Sequence, residues 1–130
     1  MARKGRFLYP AAPKPVKLSK KDKEELMEIV ESEIQKYDKL KEDIDRINIR
    51  AGRIYFYYHV ELTEDREYAE GLEKGDILEY GYGRITIFDN EYNNCSLDWL
   101  RHTGKWFPIF DGNLKQCIAE MESSSHFMRF

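Results

Sequence analysis

Cysteine is scarce in this chain. The two that it has, Cys95 and Cys117, lie far apart and belong to no CxxC pair. This excludes a disulfide framework and a cysteine-rich zinc site, because both need several suitably spaced thiols. We therefore expect both thiols to be buried as small hydrophobic residues in a reducing, cytoplasmic environment.

Long apolar runs are missing as well. No stretch approaches the ~20 apolar residues of a transmembrane helix. The basic N-terminus lacks the apolar segment of a signal peptide. The sequence therefore predicts no membrane association. Glutamine is rare, while Lys, Glu, Ile and Tyr are frequent, and this composition indicates a thermophilic source.

Residues that bind metal ions are not clustered. The chain has three isolated histidines, none of which lies four positions from another His or from a Cys: His59, His102 and His126. Metal sites on helices and zinc fingers need such spacing. We therefore expect neither a metal ion nor a cofactor.

Only weak catalytic constellations are present. Cys95, Asp98 and His102 lie close in sequence, but alternation along a strand directs Cys95 and Asp98 to opposite faces. The acidic pair Asp89 and Glu91 lies in an Asp-Asn-Glu run that is typical of a turn. These patterns favour a non-catalytic binding protein over an enzyme.

The charge distribution is strongly uneven, although the net charge is only −3. Residues 1–21 carry a charge of +7 with no acidic side chain, and the remaining 109 residues carry −10. Residues 1–18 hold three prolines and no helical period, which predicts a flexible, extended arm. This arm, with Arg3, Lys4 and Arg6, either contacts an anionic partner or acts as a solubilising tail.

An apolar stripe after the arm predicts an amphipathic helix. We expect Ser19 to cap it, with Asp22 completing a variant of the capping box. Apolar residues at intervals of three and four indicate a helix of roughly 28 residues, ~42 Å long. They are Leu26, Ile29, Val30, Ile34, Tyr37, Leu40, Ile44 and Ile47. Such a helix overhangs a small domain, which predicts a homo-oligomer with a helical seam. The alternative is one helix laid across one sheet.

The rest of the chain predicts an antiparallel sheet. Residues 53–62 alternate between two faces as a strand does. A short helix follows, which Gly75 ends. In the next segment, Gly81 and Gly83 either separate two strands or bend one long strand. Residues 95–100 and 105–110 then form a hairpin across Arg-His-Thr-Gly.

A final helix begins after Asp-Gly-Asn at 111–113, with Leu114, Cys117, Ile118 and Met121 toward the core. The predicted fold class is α+β: an antiparallel sheet of about four to five strands, with a long N-terminal and a short C-terminal helix on one face. The predicted organisation is an arm at 1–18, one domain at 19–122 and a tail at 123–130.

The strand at 53–62 has two chemically different faces. The apolar face holds Ile54, Phe56, Tyr58, Val60 and Leu62, and the opposite face holds Arg53, Tyr55, Tyr57 and His59. Alternating cations and aromatic rings on a flat sheet suit unstacked nucleic-acid bases. Arg84 and Phe88 are expected to extend this face, and Trp99 or Trp106 to flank it. In the alternative, a helix or a partner subunit covers the face.

The strand Arg-Ile-Tyr-Phe-Tyr-Tyr-His at 53–59 and the arm Met-Ala-Arg-Lys-Gly-Arg at 1–6 carry a family resemblance. With the charged helix and aromatic sheet over residues 19–122, the chain resembles the ThermoDBP-related single-stranded DNA-binding proteins of hyperthermophilic archaea. The resemblance implies an aromatic and basic cleft that binds single strands without sequence preference, on chains that oligomerise.

The sequence thus favours a protein that binds single-stranded nucleic acid, DNA rather than RNA. Two alternatives stay open. One is an interaction or scaffold module that buries a protein partner. The other is a small toxin-like nuclease using His102 or His59 with Arg101 and Asp98. The acidic body opposes the leading hypothesis, since non-specific nucleic-acid binders usually carry net positive charge.

Overall fold

A five-stranded antiparallel sheet and three helices make up residues 14–64 and 71–129, the part of the chain that this computed structural model describes. The elements are α1 (Lys20–Ile34), α2 (Asp38–Asp43), β1 (Arg46–Arg50), β2 (Arg53–Glu61), β3 (Ile77–Ile87), β4 (Cys95–Leu100), β5 (Trp106–Gly112) and α3 (Leu114–Ser123). The α+β class and the antiparallel sheet are confirmed.

The sheet is a meander in which every strand pairs with its neighbour in sequence, in the order β1-β2-β3-β4-β5. A two-residue turn joins β1 to β2, with Ala51 and Gly52 at φ 52° and 74°. Two consecutive positive φ angles match the right-handed twist of a tight hairpin. β4 and β5 form the predicted second hairpin across residues 101–105.

The single long helix predicted from Ser19 onward does not form. α1 ends at Ile34, and after a short turn α2 adds only six residues. Ile47 belongs to β1, where it pairs with Phe56. Ile47 and Ile49 flank Asn48 at strand period, and pairing with β2 satisfies the backbone of this segment. The oligomer prediction loses the helix length on which it depended.

The predicted cap at Ser19 is confirmed, and the structure adds a second cap of the same kind at Asn113. The backbone N–H of Asp22 donates to the Ser19 side chain at 3.1 Å, and the Ser19 N–H donates to the Asp22 carboxylate at 3.1 Å. Asn113 and Gln116 form the same reciprocal pair at the start of α3, at 2.8 and 2.9 Å. Such caps satisfy backbone donors that the first helical turn leaves free.

The hydrophobic core lies between the helices and one face of the sheet, here called the inner face. α1 contributes Leu26 and Val30, and the sheet contributes Ile54, Phe56 and Ile85, all with no exposed surface. The four predicted core residues of α3 are also buried. Both thiols are buried as expected, and burial raises the pKa of each to about 12.

Tyr82 is an extra residue in β3, because the pairing with β2 shifts by one residue beside Phe56. A bulge of this kind re-aims a side chain. The Tyr82 hydroxyl donates to Asp43 Oδ2 at 2.9 Å and to the Phe127 carbonyl at 3.3 Å. Burial and the nearby Asp43 raise the pKa of this phenol well above its usual value. Tyr82 therefore ties α2 and the C-terminal segment to the sheet.

The connecting and terminal segments are predicted in less detail. Residues 65–70, where most of the short helix before Gly75 is expected, lie outside the described residues. At the predicted tail, Phe127 is fully buried and Arg129 donates to the His59 carbonyl at 2.7 Å. No helix in the described ranges is long and apolar enough to cross a bilayer.

Replacing Phe56 with Ala is expected to lower the free energy of unfolding by about 3–5 kcal/mol, because it leaves a cavity in a packed core. Tyr57→Ala, one position along on the opposite face, is the matched control and should cost much less. Urea denaturation followed by circular dichroism measures both. Equal losses would contradict the assignment of Tyr57 to an uncovered face.

Candidate nucleic-acid interface

The sheet face opposite the helices, here called the outer face, collects aromatic and basic side chains from four of the five strands, β1, β2, β3 and β5. Strand register places them on one side. The aromatic and charged residues that register and alternation place on it are Arg46, Arg50, Arg53, Tyr55, Tyr57, His59, Glu61, Glu79, Arg84, Asp98, Trp106 and Asp111. Six of the predicted binding residues are therefore brought together: Arg53, Tyr55, Tyr57, His59, Arg84 and Trp106.

Tyr57, Tyr55 and Trp106 form a continuous aromatic row across this face. The rings of Tyr55 and Tyr57 are nearly parallel, with centroids 6.3 Å apart and planes at 13°. Trp106 meets Tyr55 edge-on at 6.1 Å and 74°. The row therefore presents three rings from β2 and β5, strands that lie far apart in the chain.

Arginine side chains lie against each ring of the aromatic row. Arg46 Cζ is 4.4 Å from the Tyr57 centroid and Arg50 Cζ is 4.6 Å from the Tyr55 centroid. Arg84 Cζ lies 5.0 Å from the Trp106 ring and 6.0 Å from that of Tyr55. These distances are within the range of cation–π attraction. The surface thus alternates guanidinium planes with aromatic rings.

Gly81 makes room for the end of the aromatic row. A Cβ at this position would stand 2.9 Å from Leu100 Cδ2 and 3.5 Å from two ring atoms of Trp106. A separation of 2.9 Å forces a neighbour to move. The glycine that the sequence marks as a break in β3 therefore allows the β4–β5 hairpin to place Trp106 against the sheet.

Asp98 is a buried carboxylate beneath the row, only 2% exposed. It accepts hydrogen bonds from Arg84 Nε at 2.7 Å, from Thr86 Oγ1 at 2.8 Å and from the Ser96 hydroxyl. A buried charge is tolerated when it is paired and hydrogen-bonded in this way. The pairing also fixes the plane of the Arg84 guanidinium between Trp106 and Tyr55.

Glu79 lies at the end of the outer face that is farther from the β1–β2 turn, and its carboxylate is paired with basic groups there. Arg46 binds its carboxylate through two nitrogens at 2.8 and 2.7 Å, and His59 Nε2 lies 2.6 Å from it. The hydrogen bond from Arg46, with that from His59, lowers the pKa of Glu79 to about 2. Its charge is therefore matched by the groups around it.

Tyr55 experiences two opposing effects on its pKa. Partial burial, the largest single effect, raises the pKa of the phenol, but hydrogen bonds and positive charge from Arg50 and Arg84 together outweigh it. The resulting pKa lies below the usual value for tyrosine. The lowered pKa indicates a positive local potential at the middle of the row.

The β1–β2 turn forms a basic end of the outer face. Arg50 and Arg53 stand opposite each other in register. Within the described residues, the buried Nε of Arg53 has no hydrogen-bond partner. Lys14, Lys17 and Lys23 line the same depression as Arg53. This end therefore carries cations without an ion-pairing carboxylate among its lining residues.

The described part of the arm begins beside this basic end. The backbone N–H of Val16 donates to the Ile87 carbonyl at 2.8 Å, and Val16 packs over Gly52. Three predicted phosphate-contacting residues of the arm lie outside the described residues: Arg3, Lys4 and Arg6. Residue 14, to which they are connected, is located at the basic end.

Two residues that the sequence analysis considered for the face lie outside the aromatic row. Phe88 lies one residue beyond β3 in the turn to β4, and no described ring contact joins it to the aromatic row. Trp99 lies against His126 on the inner side. Sequence reasoning misses Arg46 because the apolar spacing places it in the helix, and it misses Arg50 because this residue lies before the alternation that begins at Arg53. The mirrored alternation of residues 46–50 and 53–57 around Ala-Gly is the signal that could have found them.

The weak catalytic constellation is not assembled. Cys95 is buried in the core, whereas Asp98 bonds to the outer-face residues Arg84 and Thr86. His102 is exposed in the β4–β5 turn. Asp89 accepts hydrogen bonds from the backbone N–H groups of Asn93 and Asn94, as expected for turn chemistry. Within residues 14–64 and 71–129, no three His, Cys, Asp or Glu side chains form a metal-binding group.

No protein-family model, curated protein or solved structure matches this chain. The resemblance to the ThermoDBP-related proteins therefore stays a prediction.

Replacing Asp98 with Ala is expected to lower the free energy of unfolding by about 3–5 kcal/mol, because it leaves the guanidinium of Arg84 buried and unpaired. Asp111→Ala, an exposed carboxylate on β5, is the control and should change stability by less than about 0.5 kcal/mol. Urea denaturation monitored by tryptophan fluorescence compares the two. A small effect at Asp98 would show that its network does not hold the face together.

Proposed function

We propose that the outer face binds single-stranded nucleic acid, DNA rather than RNA, without sequence preference. The observation that carries this proposal is the aromatic row interleaved with arginines, on a sheet face away from the described helices. The choice of DNA follows the family resemblance. The proposal concerns binding, with no catalytic step.

Stacking would supply much of the binding energy. Bases stack on aromatic rings and on guanidinium planes alike, at ~1–3 kcal/mol per base on a ring. Every base has a π-face, so contacts of this kind do not read sequence. The arginines at Tyr55 and Tyr57 already occupy ring surface, and a bound strand would either displace them or stack on their outer planes.

The basic end would bind phosphates. Arg50 and Arg53 stand at the end of the row, and Lys14, Lys17 and Lys23 line the depression beside Arg53. Two carboxylates of the face, Asp98 and Glu79, are bound by Arg84 and Arg46. Their negative charge is thereby offset before a phosphate arrives.

The acidic composition of the chain is compatible with this surface because of where the acidic residues lie. α1 alone carries six Asp and Glu side chains against three lysines. It packs on the inner face, so this excess lies on the far side of the sheet. The net charge of the whole chain therefore misrepresents the charge that a strand would meet on the outer face.

Tyr55→Ala and Tyr57→Ala are each expected to weaken binding of a labelled oligothymidine by ~1–3 kcal/mol, because each removes one stacking surface. Fluorescence anisotropy at two salt concentrations measures the affinity. Phe107→Ala is the matched control: it removes an exposed ring from β5, 50% exposed, that lies outside the row. It should leave affinity unchanged.

Two results would contradict this proposal. The first is the absence of salt-sensitive binding to the oligonucleotide, which favours the scaffold alternative. The second is a loss of stability in the Tyr55→Ala and Tyr57→Ala variants as large as that of Phe56→Ala, with affinity falling only in proportion. The outer face would then be a second buried layer in an assembly.

Replacing Arg3, Lys4 and Arg6 together with Gln in the full chain should reduce the salt dependence of binding. The slope of log K against log salt is negative. Its magnitude falls by about 0.7 for every phosphate of a single strand that the protein no longer neutralises. The control replaces Lys20, Lys21 and Lys115, three exposed lysines on helices, with Gln. An unchanged slope in the arm variant would assign the arm to solubility.

A further inference from the structure

The sheet forks between β3 and β4. Their pairing runs only from Arg84/Asp98 to Ile87/Cys95. β2 and β3 stay paired as far as Ile77, and β4 and β5 stay paired as far as Trp106. The β2–β3 ladder and the β4–β5 ladder each contain a register shift near the point where the sheet divides, and such bulges bend strands. The β4–β5 hairpin therefore diverges from β3.

The two sides of this fork differ. On the outer side, Leu100 and Trp106 close the gap over Gly81. On the inner side a pocket of about 420 Å³ opens between β3, the β4–β5 turn and the segment after α3. Small-molecule sites usually have volumes of about 300–1,000 Å³. We call this space the fork pocket; its principal lining side chains are Tyr58, Tyr80, Trp99, Arg101, His102 and His126.

Aromatic rings form the walls of the fork pocket. Tyr58 and Tyr80 stack with centroids 5.5 Å apart, and Trp99 meets His126 at 4.9 Å. Tyr80 is 44% exposed and Met128 is 45% exposed, although both side chains are large and apolar in character. Packing of the core does not require these two side chains to be exposed. The exposed apolar and aromatic surface suits the binding of a planar ring.

The charged groups of the fork pocket are all basic. Arg101 and two histidines line it, and no carboxylate does so among the described residues. The Nε atom of Arg101 is buried and has no hydrogen-bond partner within the described part of the chain. An unsatisfied buried donor costs free energy, which a bound anion would recover.

We propose that the fork pocket binds a nucleotide, with the base against its aromatic walls and the phosphate at Arg101. A planar π-system joined to an anion matches the two features that the pocket combines. The pocket lies on the opposite side of the sheet from the aromatic row, so this proposal does not depend on the outer face. Two sources offer the same chemistry: a free nucleoside monophosphate, or the phosphorylated end of a single strand.

The chain contains only two tryptophans, and each reports one site. Trp106→Phe leaves Trp99, in the fork pocket, as the sole tryptophan. Titration of this variant with AMP should quench its fluorescence saturably. Adenosine and inorganic phosphate, each half of the ligand, should bind at least about tenfold more weakly, because each lacks either the charge-assisted or the stacking interactions.

Arg101→Gln in the same background should weaken AMP binding about tenfold or more, since it removes the charge-assisted hydrogen bond. Lys105→Gln, which removes an equal charge from the same turn but outside the pocket, is the matched control. Tyr80→Ala is a second variant, at a position that is 44% exposed, and should also weaken binding. Circular dichroism checks that each variant is folded.

The outcomes separate the two sources. Saturable quenching by AMP shows that the free nucleotide suffices. Quenching by a terminally phosphorylated oligothymidine, but not by AMP, assigns the pocket to a strand end. Quenching by neither, or equal AMP affinity of the Arg101→Gln and Lys105→Gln variants, overturns the proposal. Trp99→Phe, which leaves only Trp106, reports the outer face, so failure there is seen independently.

Discussion

The outer face depends on one buried carboxylate, that of Asp98. Three hydrogen bonds from neighbouring side chains compensate its charge, and the bond to Arg84 holds that side chain beside Trp106 and Tyr55. A carboxylate in this position without its partners would be costly to bury. The same ion pair therefore joins β3 to β4. It also aligns Trp106, on the edge strand β5, with Tyr55, on the interior strand β2.

The arrangement of charge explains how an acidic chain can carry a basic end on one face of its sheet. Alternation along the strands sends arginines to one side of the sheet, while α1 brings most of its acidic side chains to the other. The carboxylates of Glu79 and Asp98 on the outer face are each bound by an arginine. Long-range attraction of an anion would thus depend on its direction of approach.

Local signals predict the elements that local interactions specify. The alternation of β2, the cap at Ser19 and the buried side of α3 each follow from residues a few positions apart. β1 escapes prediction because the spacing of Ile44 and Ile47 fits a helix, and only pairing with the following strand selects the extended form. Its arginines escape prediction with it. The Asp98 network and the fork require the register between strands, which no single segment encodes.

The fork also gives the β4–β5 hairpin a mechanical role. Its two tryptophans lie on opposite sides of one hairpin: Trp99 lines the inner pocket and Trp106 completes the outer row. A molecule that widened or narrowed the gap on one side would move a ring on the other. Thermodynamic linkage makes any such effect reciprocal. The hairpin closes over Gly81 because this residue has no Cβ. Its small size would therefore determine how strongly binding at one surface is coupled to binding at the other.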